Sequence, residues 1–304
     1  EIYTLSLHDA LPIYYRAVFM GMMGPSIGVA VAWALKAPPL VLFSAAAVGQ
    51  LGATLTGFGI ITPGGPAGAF IAVAVGVEFG KMVSKETKVD ILVTPAASIL
   101  TGGITAKLIS PGIGWAMIKL GDGLKAATEW QPFYFGILLS VVIGLVLTAP
   151  ISSAALCIMM DLSGLAAGAA TVGCCAQMVG FTVCSYRENG VGELVAQGIG
   201  TSMLQVSNII KQPWILVPPT LTAAIVGPVS TCIFRMTNNA AGAGMGTSGL
   251  VGQIMTFTDM GFTIDVLWKL ILIQIVIPAV IALSIDRIMR KVGLIKDGDY
   301  KLDL

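Results

Sequence analysis

Two stretches of the chain put hydrogen-bonding side chains among apolar neighbours. The first is "CSYRENGVGELV", which carries Arg187, Glu188, Asn189 and Glu193. A carboxylate accepts from hydroxyls and an amide both donates and accepts, so this turn can bind a hydroxyl-rich ligand or gate its passage. It also reads as a solvated turn with Arg187 among lipid headgroups. The second is "RMTNNAAGAGMGTSGLVGQI", with paired amides at Asn238 and Asn239, hydroxyls at Thr247 and Ser248, and glycines that let backbone groups reach a ligand. An external loop is the alternative, and the run "AGAGMG", which lacks Lys, Asp and Glu, argues against it. Gln177 in "CCAQMVGF" and Thr94 beside Pro95 complete the substrate-binding candidates, since polar groups within apolar spans often mark a path. Lys107 and Glu78 are weaker candidates. Lys107 can snorkel, and Glu78 can pair with Lys81 at an interface.

Other chemistries are excluded. The only histidine, His8, lies in the opening "EIYTLSLHDALPI". The rest of the chain therefore has no His-based triad, His metal site or phosphohistidine. There is no CxxC pair, P-loop or dinucleotide fingerprint. Cys157, Cys174, Cys175, Cys184 and Cys232 lie in or beside apolar stretches and read as structural thiols. No catalytic residue, metal or cofactor is expected, and no self-contained enzyme. The absence of a basic stripe excludes a nucleic-acid partner. The opening thirteen residues lack the basic n-region and apolar core of a signal peptide. They match a translated sequencing adapter, so they are expected to be foreign to the protein and to stand where an N-terminal helix is missing.

The elements that must position the polar groups are transmembrane helices. Hydrophobic residues make up 56% of the chain and charged residues 11%, with a mean hydropathy of +0.88. So few charges cannot cover a soluble surface, and 37 glycines suit close helix packing in lipid. A helical bundle in the bilayer is predicted, all-α and polytopic, with eight spans at about Ala17–Leu35, Pro39–Ile61, Ala67–Val83, Ile91–Ile109, Phe133–Leu147, Gly164–Val183, Pro213–Phe234 and Phe262–Ile285. Ile151–Leu162 is too short to span. Gly112–Glu129 reads as interfacial, Gly190–Lys211 as an amphipathic helix on the membrane surface or lining a cavity, and Asn238–Met255 as a re-entrant segment.

The domain organisation read from this is one transmembrane domain over residues 14–285 and a tail over 286–304. Arg287, Arg290, Lys291, Lys296 and Lys301 in the tail and Lys81, Lys85 and Lys88 in a loop place both on the cytoplasmic side. That requires an even number of crossings between them, whereas five spans are counted. "ILVTPAASILTGGITAK" resembles "ILVPPTLTAAIVGPVST", a faint repeat of the kind that places transporter sites at repeat interfaces.

The motifs "GLAAGAATVGCCAQMVGF", "SYRENGVGELVAQGIGTSMLQ" and "NNAAGAGMGTSGLVGQI", with "GGPAGAF" and "VSKETKVDILVTP", resemble the membrane-embedded IIC subunits of the bacterial phosphotransferase system. More narrowly they are similar to the second IIC family, which includes perfringolysin O regulator-like proteins, over about Gly24 to Gly261. The resemblance implies a multi-pass permease subunit in the bacterial plasma membrane. It would bind a sugar or polyol and expose it for phosphorylation by separate IIA and IIB proteins, and it would form a homodimer in the lipid bilayer. Better-known relatives use a histidine and a glutamate near the sugar, and here only Glu188 or Glu193 could supply the carboxylate. Two alternatives stay open: a membrane-embedded regulator of gene expression, and a secondary transporter of a small anion with Arg187 or Lys107 as counter-charge.

Overall fold

A computed structural model describes residues 21–55, 64–149 and 151–302. The expectations about residues 1–13 and the missing helix whose place they take lie outside the described residues. Those described are helical and contain no strand; a single antiparallel bridge pairs Gly164 with Asn238. Helices form at all eight predicted spans. Five are long and apolar enough to cross a membrane among the described residues: Gly65–Val83, Asp90–Leu108, Gly164–Gly200, Pro213–Ile233 and Ile264–Lys291. The other three, Met23–Ala34, Pro39–Thr54 and Pro132–Thr148, are shorter and apolar. Apolar side chains also cover outward faces, among them Leu92, Leu100, Leu138, Ile264 and Val280. Such a surface needs lipid rather than water.

The chain divides into two compact units, residues 1–119 and 120–304. In the first, α1 (Met23–Ala34), α2 (Pro39–Thr54), α3 (Gly65–Val83) and α4 (Asp90–Leu108) pack around Val41, Val48, Ala72 and Val73. Glycines set the spacing. A Cβ at Gly76 would lie 2.8 Å from the Ser98 carbonyl, so only glycine lets α3 and α4 approach this closely. Thr94 on α4 is buried and donates to Asp90 Oδ1 at 2.5 Å. α5 (Ser110–Trp130) follows, and its Lys125 reaches the Asp161 carbonyl.

The second unit is built around α8 (Gly164–Val195). Nearly every residue of α8 from Leu165 to Ser185 is buried. Ala, Gly, Cys and Thr dominate that stretch, and their small side chains admit α6 (Pro132–Thr148), α10 (Val217–Pro228) and α14 (Ile277–Lys291) around it. Ser140 on α6 donates to the Ala223 carbonyl of α10 at 2.8 Å, satisfying polar groups that lipid cannot. The remaining helices are α7 (Ser153–Met159), α9 (Val206–Lys211), α11 (Ala240–Ala243), α12 (Val251–Met260) and α13 (Ile264–Ile271).

The segment 190–211 departs from expectation. It is not one amphipathic helix. Gly190 takes φ 79°, a π-helical turn runs over Ala196–Gly200, Thr201 is extended, and a 3-10 turn precedes α9. The reason is an inverted polarity. Gln197, Ser202 and Gln205 are fully buried, whereas Val191, Val195, Ile199 and Ile210 face outward. The polar residues turn inward to find partners, and a regular helix does not bring all of them there. Of the cysteines, Cys157, Cys174, Cys175 and Cys184 are buried and unpaired, as expected of structural thiols, while Cys232 is exposed.

Candidate functional site

Gln177 lies in the middle of α8 and is fully buried. Its Nε2 donates to Thr220 Oγ1 of α10 at 3.1 Å, and its Oε1 accepts from Thr148 Oγ1 at the end of α6. Thr148 in turn shares a 2.9 Å hydrogen bond with Ser202. One glutamine thus ties α6, α10 and the broken segment after α8 to a common point. Beside this cluster opens a cleft of about 360 Å³. Its walls come from the end of α6 (Leu147), the start of α7 (Ser152, Ser153), the break after α8 (Gly200, Thr201, Met203) and the glycine-rich segment (Gly244, Met245, Ser248). No charged side chain lines it.

The glycine-rich segment folds back against α8. At Gly246 the backbone has φ 54°, and a Cβ there would lie 2.8 Å from Cys174. Only glycine meets both conditions. Thr247 is buried and donates to the Gly198 carbonyl. The paired amides serve this fold. Asn238 is fully buried; its Nδ2 donates to Thr171 Oγ1, the Gly252 carbonyl and Thr256 Oγ1, and its Oδ1 accepts from the Asn239 N–H. Asn239 caps α11, its Oδ1 accepting from the N–H groups of Ala241 and Gly242. Asn238→Ala removes these buried hydrogen bonds and leaves the Asn239 N–H without its partner, while Thr171, Gly252 and Thr256 keep other bonds. We expect a loss of about 2 kcal/mol in thermal unfolding, whereas the half-buried cap Asn239→Ser keeps an acceptor and stays near wild type.

The turn "SYRENG" also has its polar atoms engaged within the protein. Glu188 Oε1 accepts from Arg290 Nη2 at 2.8 Å and Oε2 from the Tyr300 N–H at 2.9 Å. Asn189 donates to the Tyr300 carbonyl and accepts from the Leu302 N–H, both at 2.8 Å. Arg290 also holds Asp286 and Asp297. Burial pushes the Tyr300 hydroxyl above its usual range, with nearby Cys184 and Asp286 adding to it, so the hydroxyl stays protonated and donates to Asp286 Oδ1 at 3.0 Å. Arg187 lines a separate cleft of about 160 Å³ with Arg287. Glu193 is half-buried and forms no ion pair among the described residues.

The structure therefore sorts the ten candidates. Ser248 lines the cleft and Thr247 anchors its wall, while Gln177 is linked to it through Thr148, the neighbour of the lining residue Leu147. Asn238 and Asn239 shape the glycine-rich segment, while Glu188 and Asn189 hold the tail. Arg187 and Glu193 lie apart from the cleft, and Thr94 belongs to the other unit.

The family model of the phosphotransferase system EIIC matches residues 3–302. The chain belongs to this family. The EIIC match runs across both units and extends beyond the Gly24–Gly261 stretch that carries the motifs. Neither a curated protein nor a solved structure matches this EIIC chain. With its apolar helices, family membership makes it a multi-pass membrane protein and a permease subunit of the phosphotransferase system. The family implies a carbohydrate substrate and IIA and IIB partners.

Thr148, Ser202 and Thr220 of this EIIC chain are absent from the sequence-read candidates. Thr148 and Thr220 sit in apolar spans, where a lone hydroxyl commonly bonds its own helix. Ser202 lies on the polar side of the segment 190–211, and only the fold shows that this side is the buried one.

Proposed function

We propose that the cleft beside Gln177 receives a neutral sugar or polyol, which separate IIA and IIB proteins phosphorylate. The observation that carries this is the lining. Ser152, Ser153, Thr201 and Ser248 offer hydroxyls, the glycine-rich turn offers peptide groups, and no side chain there is charged. Neutral donors and acceptors suit hydroxyls, and a cleft of about 360 Å³ falls within the size range of small-molecule sites. Neither cation named for the small-anion reading lines this cleft: Arg187 lines another, and Lys107 is exposed on α4. We place the tail on the cytoplasmic side by its positive charges and take the chain to work as a homodimer.

The test is equilibrium binding of radiolabelled hexoses, pentoses and polyols to the protein in lipid nanodiscs. At least one should bind saturably, and Gln177→Leu should weaken it by about tenfold by releasing Thr148, Ser202 and Thr220 from their positions. Arg187→Gln, at an exposed position lining the other cleft, should leave affinity near wild type. No saturable binding across the panel, or a loss with Arg187→Gln as large as with Gln177→Leu, refutes the reading.

A further inference from the structure

Residues 293–302 turn back after α14 and lie along the broken part of α8. Ile295 and Tyr300 are buried beside Phe181, Ile215 and Met289. Between Tyr300 and Leu302 the backbone is held by side chains. Glu188 accepts the Tyr300 N–H, Asn189 pairs with the Tyr300 carbonyl and the Leu302 N–H, Gln205 donates to the Tyr300 carbonyl, and Asn208 donates to the Lys301 carbonyl at 2.9 Å. These four residues straddle the break. Glu188 and Asn189 precede Gly190, and Gln205 and Asn208 follow Thr201.

A helix interrupted by a positive-φ glycine and an extended residue has no continuous ladder to fix the angle between its parts. The tail supplies that bracing from outside. The bracing reaches the cleft through a short chain of contacts. Gln205 Nε2 also donates to Gln197 Oε1 at 3.0 Å, Gln197 Nε2 donates to Ser185 Oγ at 2.9 Å, and the adjacent Gly198 carbonyl accepts from Thr247. Thr201, which lines the cleft, and Ser202, which bonds Thr148, lie between Gly198 and Gln205.

Within the tail over residues 293–302, only Ile295 and Tyr300 are buried, and Lys296, Asp297 and Lys301 are exposed. Several of its hydrogen bonds are partly open to solvent, and segments of that kind open at lower free energy than a packed core.

We propose that residues 295–302 form a releasable strap: docked, it braces the two sides of the α8 break and closes the wall of the cleft; released, it lets that wall open. The strap rests on the sugar reading only for its consequence in transport, because opening of the wall is measured without substrate.

The test uses the full chain in lipid nanodiscs with Cys232→Ser, which leaves only buried cysteines, and Ser202→Cys as a buried reporter. A water-soluble maleimide reads its accessibility. Asn189→Ala removes two strap hydrogen bonds at a distance from the reporter, and deletion of residues 295–304 removes the strap. Both should raise the labelling rate by roughly tenfold, while a cysteine placed at exposed Glu86 labels at an unchanged rate. If the deletion prevents folding, Asn189→Ala decides. An unchanged rate at Ser202→Cys in folded Asn189→Ala overturns the proposal. So does an equal rise at both reporters, which would mean general loosening.

Discussion

Arg290→Leu will lower the unfolding free energy in detergent micelles by about 3–5 kcal/mol. Among the described residues, Arg290 is the cation that forms ion pairs with Glu188 and Asp286, whose side chains are 9% and 3% exposed. Both carboxylates bond it at 2.8 Å, and its remaining fork reaches Asp297 and the Cys184 carbonyl. Removing one partner of a buried ion pair leaves the other charge uncompensated in a medium that solvates it poorly, which is the costly half of such a deletion. Arg290→Lys keeps the charge but not the planar fork that serves several acceptors at once, so its loss should be intermediate. Adding Glu188→Gln and Asp286→Asn to Arg290→Leu removes the stranded charges and should recover part of the stability. An Arg290→Leu protein within about 1 kcal/mol of wild type would show that water reaches these carboxylates freely.

Gly173→Leu should abolish saturable sugar binding and destabilise the second unit by more than the usual overpacking cost of about 1–3 kcal/mol. A Cβ at Gly173 would collide with the carbonyl oxygen, carbonyl carbon and Cα of Ser140. These are backbone atoms of a facing helix and have no rotamer to move into. Relief requires α6 to shift away from α8. Four residues beyond Gly173 on α8 is Gln177, which bonds Thr148 at the far end of α6. The shift therefore pulls apart the Gln177 cluster as well as the core. Gly123→Leu on α5 is the matched control, since a Cβ there meets nothing within 4 Å. Thermal unfolding and sugar binding of the two variants, side by side, check the expectation; equal stability would refute it.

The helices were legible in the sequence because a bilayer demands long apolar runs; their positions match the predicted spans, though the helix predicted to end at Val183 runs on to Val195 and the last one runs on to Lys291. That Asn238–Met255 is not one continuous span was legible for a related reason, since so many glycines make a poor ordinary span; it folds as two short helices joined by turns. Two things were hidden. One was the role of the "RENG" turn. Its carboxylate and amide suit a sugar and a peptide group equally well, and only the fold brings Tyr300, more than a hundred residues later, to Glu188 and Asn189. The other was the Thr148–Ser202–Gln177–Thr220 cluster. Each member is an unremarkable polar residue at its own place in the chain, and their meaning lies in distances between α6, α8 and α10 that no local pattern encodes. The segment 190–211 stands between these cases. Its alternation of polar and apolar residues was visible, but the alternation does not say which side faces water.

That reversed segment bears on how the protein can change over time. In a water-soluble helix the apolar letters are the guarded ones and the polar letters drift. Here Gln197, Ser202, Gln205 and Asn208 each answer to a specific partner, whereas Val191, Val195, Ile199 and Ile210 need only dissolve in hydrocarbon. Substitutions among valine, isoleucine, leucine and methionine at those outward positions cost little. Along these twenty-two residues, specificity is written in the amides and hydroxyls, and the outward hydrophobic letters are interchangeable.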